Sequence, residues 1–220
     1  SSVSQTLVYA GRNNPNQLEE ITMIRHTTLF IVMLVGIALA LPSRAADPLH
    51  NIPLTWKPTS KTTAGAVDLT ALGNARIRVI GLTDARKSLE LIGENREKGG
   101  VLTVTTKDNV AGFVTQRLRD LLAGNGLNVV DNGETVSLSG EIRKFFVAET
   151  NTYQGEVVLM LTVSNPAGKA LWTGIVSGAS QRFGRSYKAE NYHETLSDAL
   201  IEAVNNLLRN PGFEKALRGR

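Results

Sequence analysis

Residues 153–183 read YQGEVVLMLTVSNPAGKALWTGIVSGASQRF, and this stretch decides the fold. Two long runs, Tyr153 to Val163 and Ala170 to Phe183, flank Asn165-Pro166-Ala167-Gly168, a tight hairpin signal whose glycine supplies a positive φ. With the preceding run, Val136 to Glu149, they predict an antiparallel meander. Downstream, Asn191 with Glu194 three residues on has the form of a capping box. Leu196, Ala199, Leu200, Ala203, Val204, Leu207 and Leu208 then make one helical stripe, ended by Asn210-Pro211-Gly212. Residues 213–220 read as a basic tail.

Upstream of the meander, Leu127 to Val130 is a short strand, preceded by a helix over Asp108 to Ala123 with Val110, Phe113, Val114, Leu118, Leu121 and Leu122 on one face. Gly124-Asn125-Gly126 stops that helix. A right-handed crossover would lay Leu127 to Val130 parallel to an earlier strand. Val101 to Thr105 and Ala75 to Leu82 are further strands, and Ile52, Leu54 and Trp56, alternating between Pro48 and Pro58, predict a short edge strand. Between Thr83 and Gly100 the chain reads as a long charged loop around an apolar Leu89, Leu91, Ile92 insert, a length that is usually functional or mobile. The expected fold is α+β: a mixed, largely antiparallel sheet with two amphipathic helices packed on one face. The expected domain spans residues 75–212, preceded by an extended segment over 46–74.

The N-terminal part reads as processing signals. Met23 opens a tripartite secretory pattern: Arg25 and His26, then the apolar run Leu29 to Leu41, then Pro42, with Ser43 and Ala45 as the small residues of a cleavage site between Ala45 and Ala46. The run is shorter than the roughly 20 residues that span a bilayer. Residues 1–22 are expected to be translated leader, since Leu18-Glu19-Glu20 can be encoded with a GGAGGA ribosome-binding box just upstream of the Met23 codon. The nucleotide sequence tests this, and codons without a purine-rich box would refute it.

Composition bounds the chemistry. Of 220 residues, 42% are hydrophobic and 20% charged, the balance of a globular domain. A net charge of +4 is far from the concentrated basic face of a duplex-binding protein. The sequence has no cysteine, which excludes disulfides, thiol catalysis and iron–sulfur ligation. His193-Glu194 has Ser197 where a zincin helix needs its second histidine, so no metal site is readable. Gly178-Ala179-Ser180 continues to Gln181 and Arg182 and lacks the second glycine of a nucleophile elbow. No glycine-rich loop precedes Lys-Ser or Lys-Thr, so no cofactor is expected. Arg182, Arg185 and Lys188, with Phe183 and Tyr187 between them, form the local basic-aromatic cluster. In an exported chain it reads as an exposed linker or a weak contact with a membrane surface or glycan, not with nucleic acid.

Five residues remain as candidates for binding or for anchoring the Thr83–Gly100 loop: Asp84, Arg86, Ile92, Gly93 and Arg96. A carboxylate and a guanidinium two apart at a strand end can fasten a turn or meet a partner. The order of Ile52-Pro53-Leu54-Thr55-Trp56-Lys57-Pro58, Asp84-Ala85-Arg86, Ile92-Gly93 and Asn95-Arg96, followed by helix, meander and terminal helix, resembles the YajG family of bacterial envelope lipoproteins over roughly Asn51 to Arg209. That family is typically anchored by a lipidated cysteine after the signal; Ala46 stands in its place here. The resemblance implies a periplasmic, non-enzymatic accessory protein with an envelope protein partner, and the missing cysteine implies that it carries no lipid anchor. The runner-up is an auxiliary subunit of an envelope lipid-transport system, which needs an apolar groove between sheet and helices. An envelope hydrolase is the third class.

Overall fold

The structure is a computed structural model that describes residues 49–59, 75–97 and 99–218. The expected leader (1–22), signal segment (23–45) and its Ala45–Ala46 cleavage site lie outside the described residues, as does the linker over 60–74. Seven strands and three helices are described, an α+β arrangement with a mixed sheet. None of the described helices is long and apolar enough to cross a membrane.

Strand β5 (Val136–Glu149) is the spine of the sheet. One of its edges pairs antiparallel with β6 (Thr152–Ser164), which pairs antiparallel with β7 (Ala170–Phe183). The other edge takes two strands end to end, both parallel to it: β1 (Arg76–Asp84) along Val136–Ile142 and β2 (Leu91–Asn95) along Val147–Glu149. Outside these lie β3 (Leu102–Thr105), antiparallel to β2, and β4 (Asn128–Val129), parallel to β1 as expected. The three-strand meander is therefore present, its outer two strands reaching the expected limits to within a residue.

Alternation decides which face each side chain takes. In β1, Ile77 and Val79 point inward while Arg76, Arg78 and Ile80 point out; a bulge after Val79 then resets the phase so that Leu82 is buried. Gly81 absorbs that bulge at φ 139°, a backbone angle that residues with a Cβ rarely adopt. Helix α1 (Val110–Gly124) buries Val110, Val114, Leu118 and Leu122 at four-residue spacing, and Asn109 Oδ1 caps it by accepting from Gly112 N at 2.9 Å. Helix α2 (Ala189–Leu208) buries Tyr192, Leu196, Ala199, Leu200, Ala203, Val204 and Leu207 against β5, β6 and β7.

Four sequence expectations are corrected. The Thr83–Gly100 loop contains β2, because pairing on both sides holds a five-residue strand that its own charged sequence does not announce. The Ile52–Trp56 segment is not a strand: it is extended, with Ile52 N donating to Thr105 O and Thr105 N to Leu49 O. It then leaves β3, setting Trp56 against Phe113 of α1 and Lys57 N on Ser197 Oγ of α2. The capping box at Asn191 is absent, since the helix already starts at Ala189 and the Asn191 side chain donates to Ser186 Oγ. Nor do the described residues 213–218 of the expected tail form one: Asn210 Oδ1 accepts from Gly212 N and Phe213 N and starts a third helix, α3 (Pro211–Leu217), whose Phe213 packs on Trp172.

Candidate functional site

Asp84 ends β1 and Arg86 begins the excursion that leads to β2. The guanidinium lies flat against the carboxylate, Nε to Oδ1 at 2.8 Å and Nη2 to Oδ2 at 2.7 Å. Its remaining donors reach Leu91 O at 2.8 Å and Leu89 O at 2.5 Å, and the side chain is 6% exposed. Every bond that Arg86 makes closes residues 84–91 into one turn, so this pair fastens the excursion.

Ile92 and Gly93 point the other way, into the core. Ile92 is fully buried, and a Cβ at Gly93 would stand 2.7 Å from Tyr192 Cε1 and 2.8 Å from Val147 O, so only glycine lets α2 seat its tyrosine there. Behind Gly93 is a buried polar knot. Glu149, at the end of β5, accepts from Tyr187 N at 2.9 Å and from Tyr192 OH at 2.8 Å. Burial, with the carboxylate beside it, pushes the Tyr192 hydroxyl far above its ordinary pKa, which keeps it a donor. Tyr187 holds φ 46° for this contact, and its hydroxyl accepts from Leu49 N.

The basic-aromatic cluster read from the sequence is thereby taken apart. Tyr187 is buried and Arg182 pairs with Glu194 at 2.5 Å, while Phe183 at 90% exposure, Arg185, paired with Glu97 at 3.3 Å, and Lys188 stand in solvent. Of its two rings only Phe183 is open to solvent.

Arg96, the fifth candidate, faces outward on the side of the sheet that no described helix covers. There the cross-strand register sets Phe146, Glu156 and Ala179 in one row and Ala148, Gln154 and Gln181 in the next. The small side chains of Ala148 and Ala179 form the floor of a trough of about 610 Å³, walled by Phe146, Gln154, Gln181, Lys144 and Arg96. A second groove of about 330 Å³, which includes Arg86, Lys87 and Arg143, shares Arg96, Lys144 and Phe146 with it. Three of its cations are met by carboxylates on or near the sheet: Lys144 by Glu156 at 2.5 Å, Arg143 by Glu141 at 2.5 Å, and Arg96 by Glu94. These pairs are solvent-screened and open to exchange with a partner's charges. Of the five candidates, only Arg86 and Arg96 therefore border one concavity. Phe146, Gln154 and Gln181 were not singled out by sequence; period-two alternation along β5 to β7 marks them once register is known.

Among the described residues, no group of three or more His, Asp or Glu side chains is placed to hold a metal ion. The layer between sheet and helices is packed with Val114, Leu118, Leu138, Ile142, Leu159 and Leu200, all fully buried.

No protein-family model matches the sequence, and no curated protein matches it. Solved structures with a similar chain path include a Xanthomonas campestris protein of the DUF330 family, 8% identical with a TM-score of 0.47 over 76% of this chain and 95% of that one. A predicted lipoprotein from Caulobacter crescentus is 10% identical with a TM-score of 0.40 over 58% and 92%. A minor lipoprotein from Acinetobacter baumannii is 9% identical with a TM-score of 0.33 over 61% and 91%. These neighbours are bacterial, and at such identity nothing of what they do carries over.

Proposed function

We propose that this chain is a non-enzymatic binding component of the bacterial cell envelope, a periplasmic, YajG-like accessory protein that receives an envelope protein partner on the uncovered face of its sheet. The observation that carries this reading is the double trough around Phe146, Arg96 and Lys144, a concavity of mixed charge on a rigid three-strand floor. Interfaces favour such an aromatic anchor within a polar rim. The secretory pattern from Met23 to Ala45 supports the location. The non-enzymatic reading draws on Asp84, Arg86 and Glu149, which are each bonded to backbone or to one another in fastening roles.

The test is affinity capture from envelope extract with the wild-type chain and with Phe146→Asp and Lys144→Glu variants that retain the wild-type melting temperature. A stoichiometric partner held by the wild type and lost by both variants supports the proposal. A partner retained by both variants, or turnover of ester, phosphate or glycan substrates by the purified chain, refutes it.

A further inference from the structure

Among the described residues no strand but β6 pairs with β7, so its other edge is unpaired by any described strand, and Asn206 of α2 bonds to it at Ser177 O. The direction of that edge's backbone groups follows from the ladder. Ile142 O accepts from Ala85 N on the β1 side, so the even residues of β5 before its bulge face β1 and the odd ones face β6. Carrying the alternation across the β5–β6 and β6–β7 registers leaves Thr173, Ile175, Ser177, Ala179, Gln181 and Phe183 with N–H and C=O pointing outward. A contact from the helix layer agrees: Ser177 O, which the alternation turns away from β6, accepts from Asn206 Nδ2 at 2.8 Å.

Natural sheets protect such an edge with lysine, proline, a bulge or an inward charge. From Leu171 to Gln181 this strand has no proline and no charged residue, and its one register shift lies at the hairpin end, beside Ser164. Two large apolar side chains stand on it in solvent, Ile175 at 68% and Phe183 at 90% exposure.

The strand is also complementary to itself. Turned about a two-fold axis at Ser177, a second β7 sets Ile175 opposite Ala179, Thr173 opposite Gln181, and Phe183 opposite the apolar Leu171. On the other face Val176 meets Gly178, Gly174 meets Ser180, and Arg182 meets the ring of Trp172. No like charges oppose, and the sole cation of the strand, Arg182, is already neutralised by Glu194 of its own chain. The outward groups are the ones an antiparallel hydrogen-bonded register uses, and the Ser177 carbonyl has a second lone pair beside the Asn206 bond. We infer that the β7 edge is a homodimer interface, joining two copies antiparallel about Ser177 into one continuous sheet.

Sedimentation equilibrium of the purified protein tests this, with two variants. Ser177→Pro removes an outward N–H without touching the bonds to β6, and Phe183→Asp places a charge against Leu171. The wild type should be dimeric at micromolar concentration, and each variant should weaken the dimer tenfold or more while keeping the wild-type melting curve measured under monomeric conditions. Because the sequence lacks cysteine, Ser177→Cys is a clean reporter. Antiparallel partners lie about 5.5 Å apart between Cα atoms, within disulfide reach, so mild oxidation should link Ser177→Cys dimers and leave Ser139→Cys, on β5, unlinked. A monomer at all concentrations, as expected if the edge takes another protein's strand, overturns the inference. So does a dimer untouched by both Ser177→Pro and Phe183→Asp. None of these outcomes bears on partner capture by the trough, which is read separately.

Discussion

The phenol of Tyr192 on α2 donates to the carboxylate of Glu149 at the end of β5 over 2.8 Å, in a site where both residues are fully buried. Tyr187 N donates to the other carboxylate oxygen, so one side chain ties the β5 terminus to both the β7–α2 linker and the helix. Tyr192→Phe should lower stability by about 1.5–3 kcal/mol, the range for losing a hydrogen bond to a buried charged group. Glu149→Gln, which keeps an acceptor for Tyr187 N, should cost less than Glu149→Ala. Urea unfolding of the three variants measures this, and equal effects for Gln and Ala would refute the assigned roles.

Arg86→Ala should reduce stability and partner binding together, since the guanidinium closes the 84–91 turn that borders the smaller groove. Removing one member of a largely buried pair leaves Asp84 without its fork, at about 3 kcal/mol or more. Arg86→Lys should rescue little, because an ammonium cannot hold Asp84, Leu89 O and Leu91 O at once. A melting curve and a capture assay on the same protein check it; lost binding at an unchanged melting temperature would make Arg86 a contact residue instead.

Leu118 on α1 and Leu200 on α2 are both fully buried against the sheet. Leu118→Ala and Leu200→Ala should each destabilise by about 2–5 kcal/mol, seen as a lower denaturant midpoint. A shift near zero at either site would mean that its helix is not docked as described.

His193 is buried beside the Pro53 carbonyl, with Nε2 lacking a partner among the described residues. Burial lowers its pKa below the ordinary 6.5, and the Pro53 bond opposes this only in part. The unfolded chain therefore takes up a proton before the folded one does. Stability is full above about pH 6.5 and falls as the pH drops from there toward the folded pKa. His193→Gln should flatten this slope between pH 7 and 5, read from denaturant midpoints; an unchanged slope would show that other groups set it.

The elements with strong periodicity were legible in the sequence. The long strands β5 to β7 and the stripes through Leu118 and Leu200 appear where alternation and four-residue spacing place them. What was hidden depends on tertiary partners. β2 exists because β5 and β3 flank it, and Asn210-Pro211-Gly212 reads as a stop until Phe213 finds Trp172. The site was legible only in part for the same reason. Asp84 and Arg86 stand out as an ion pair and prove to be a fastener, whereas Phe146, Gln154 and Gln181 look ordinary until register aligns them in neighbouring rows.

The most direct test of the account is site-specific photocrosslinking in living cells, with a photoreactive residue at Gln154 in the trough or at Gln116, exposed on α1. The account predicts a discrete adduct with an envelope protein from Gln154 and none from Gln116. No adduct from Gln154, or the same adduct from both positions, would contradict it.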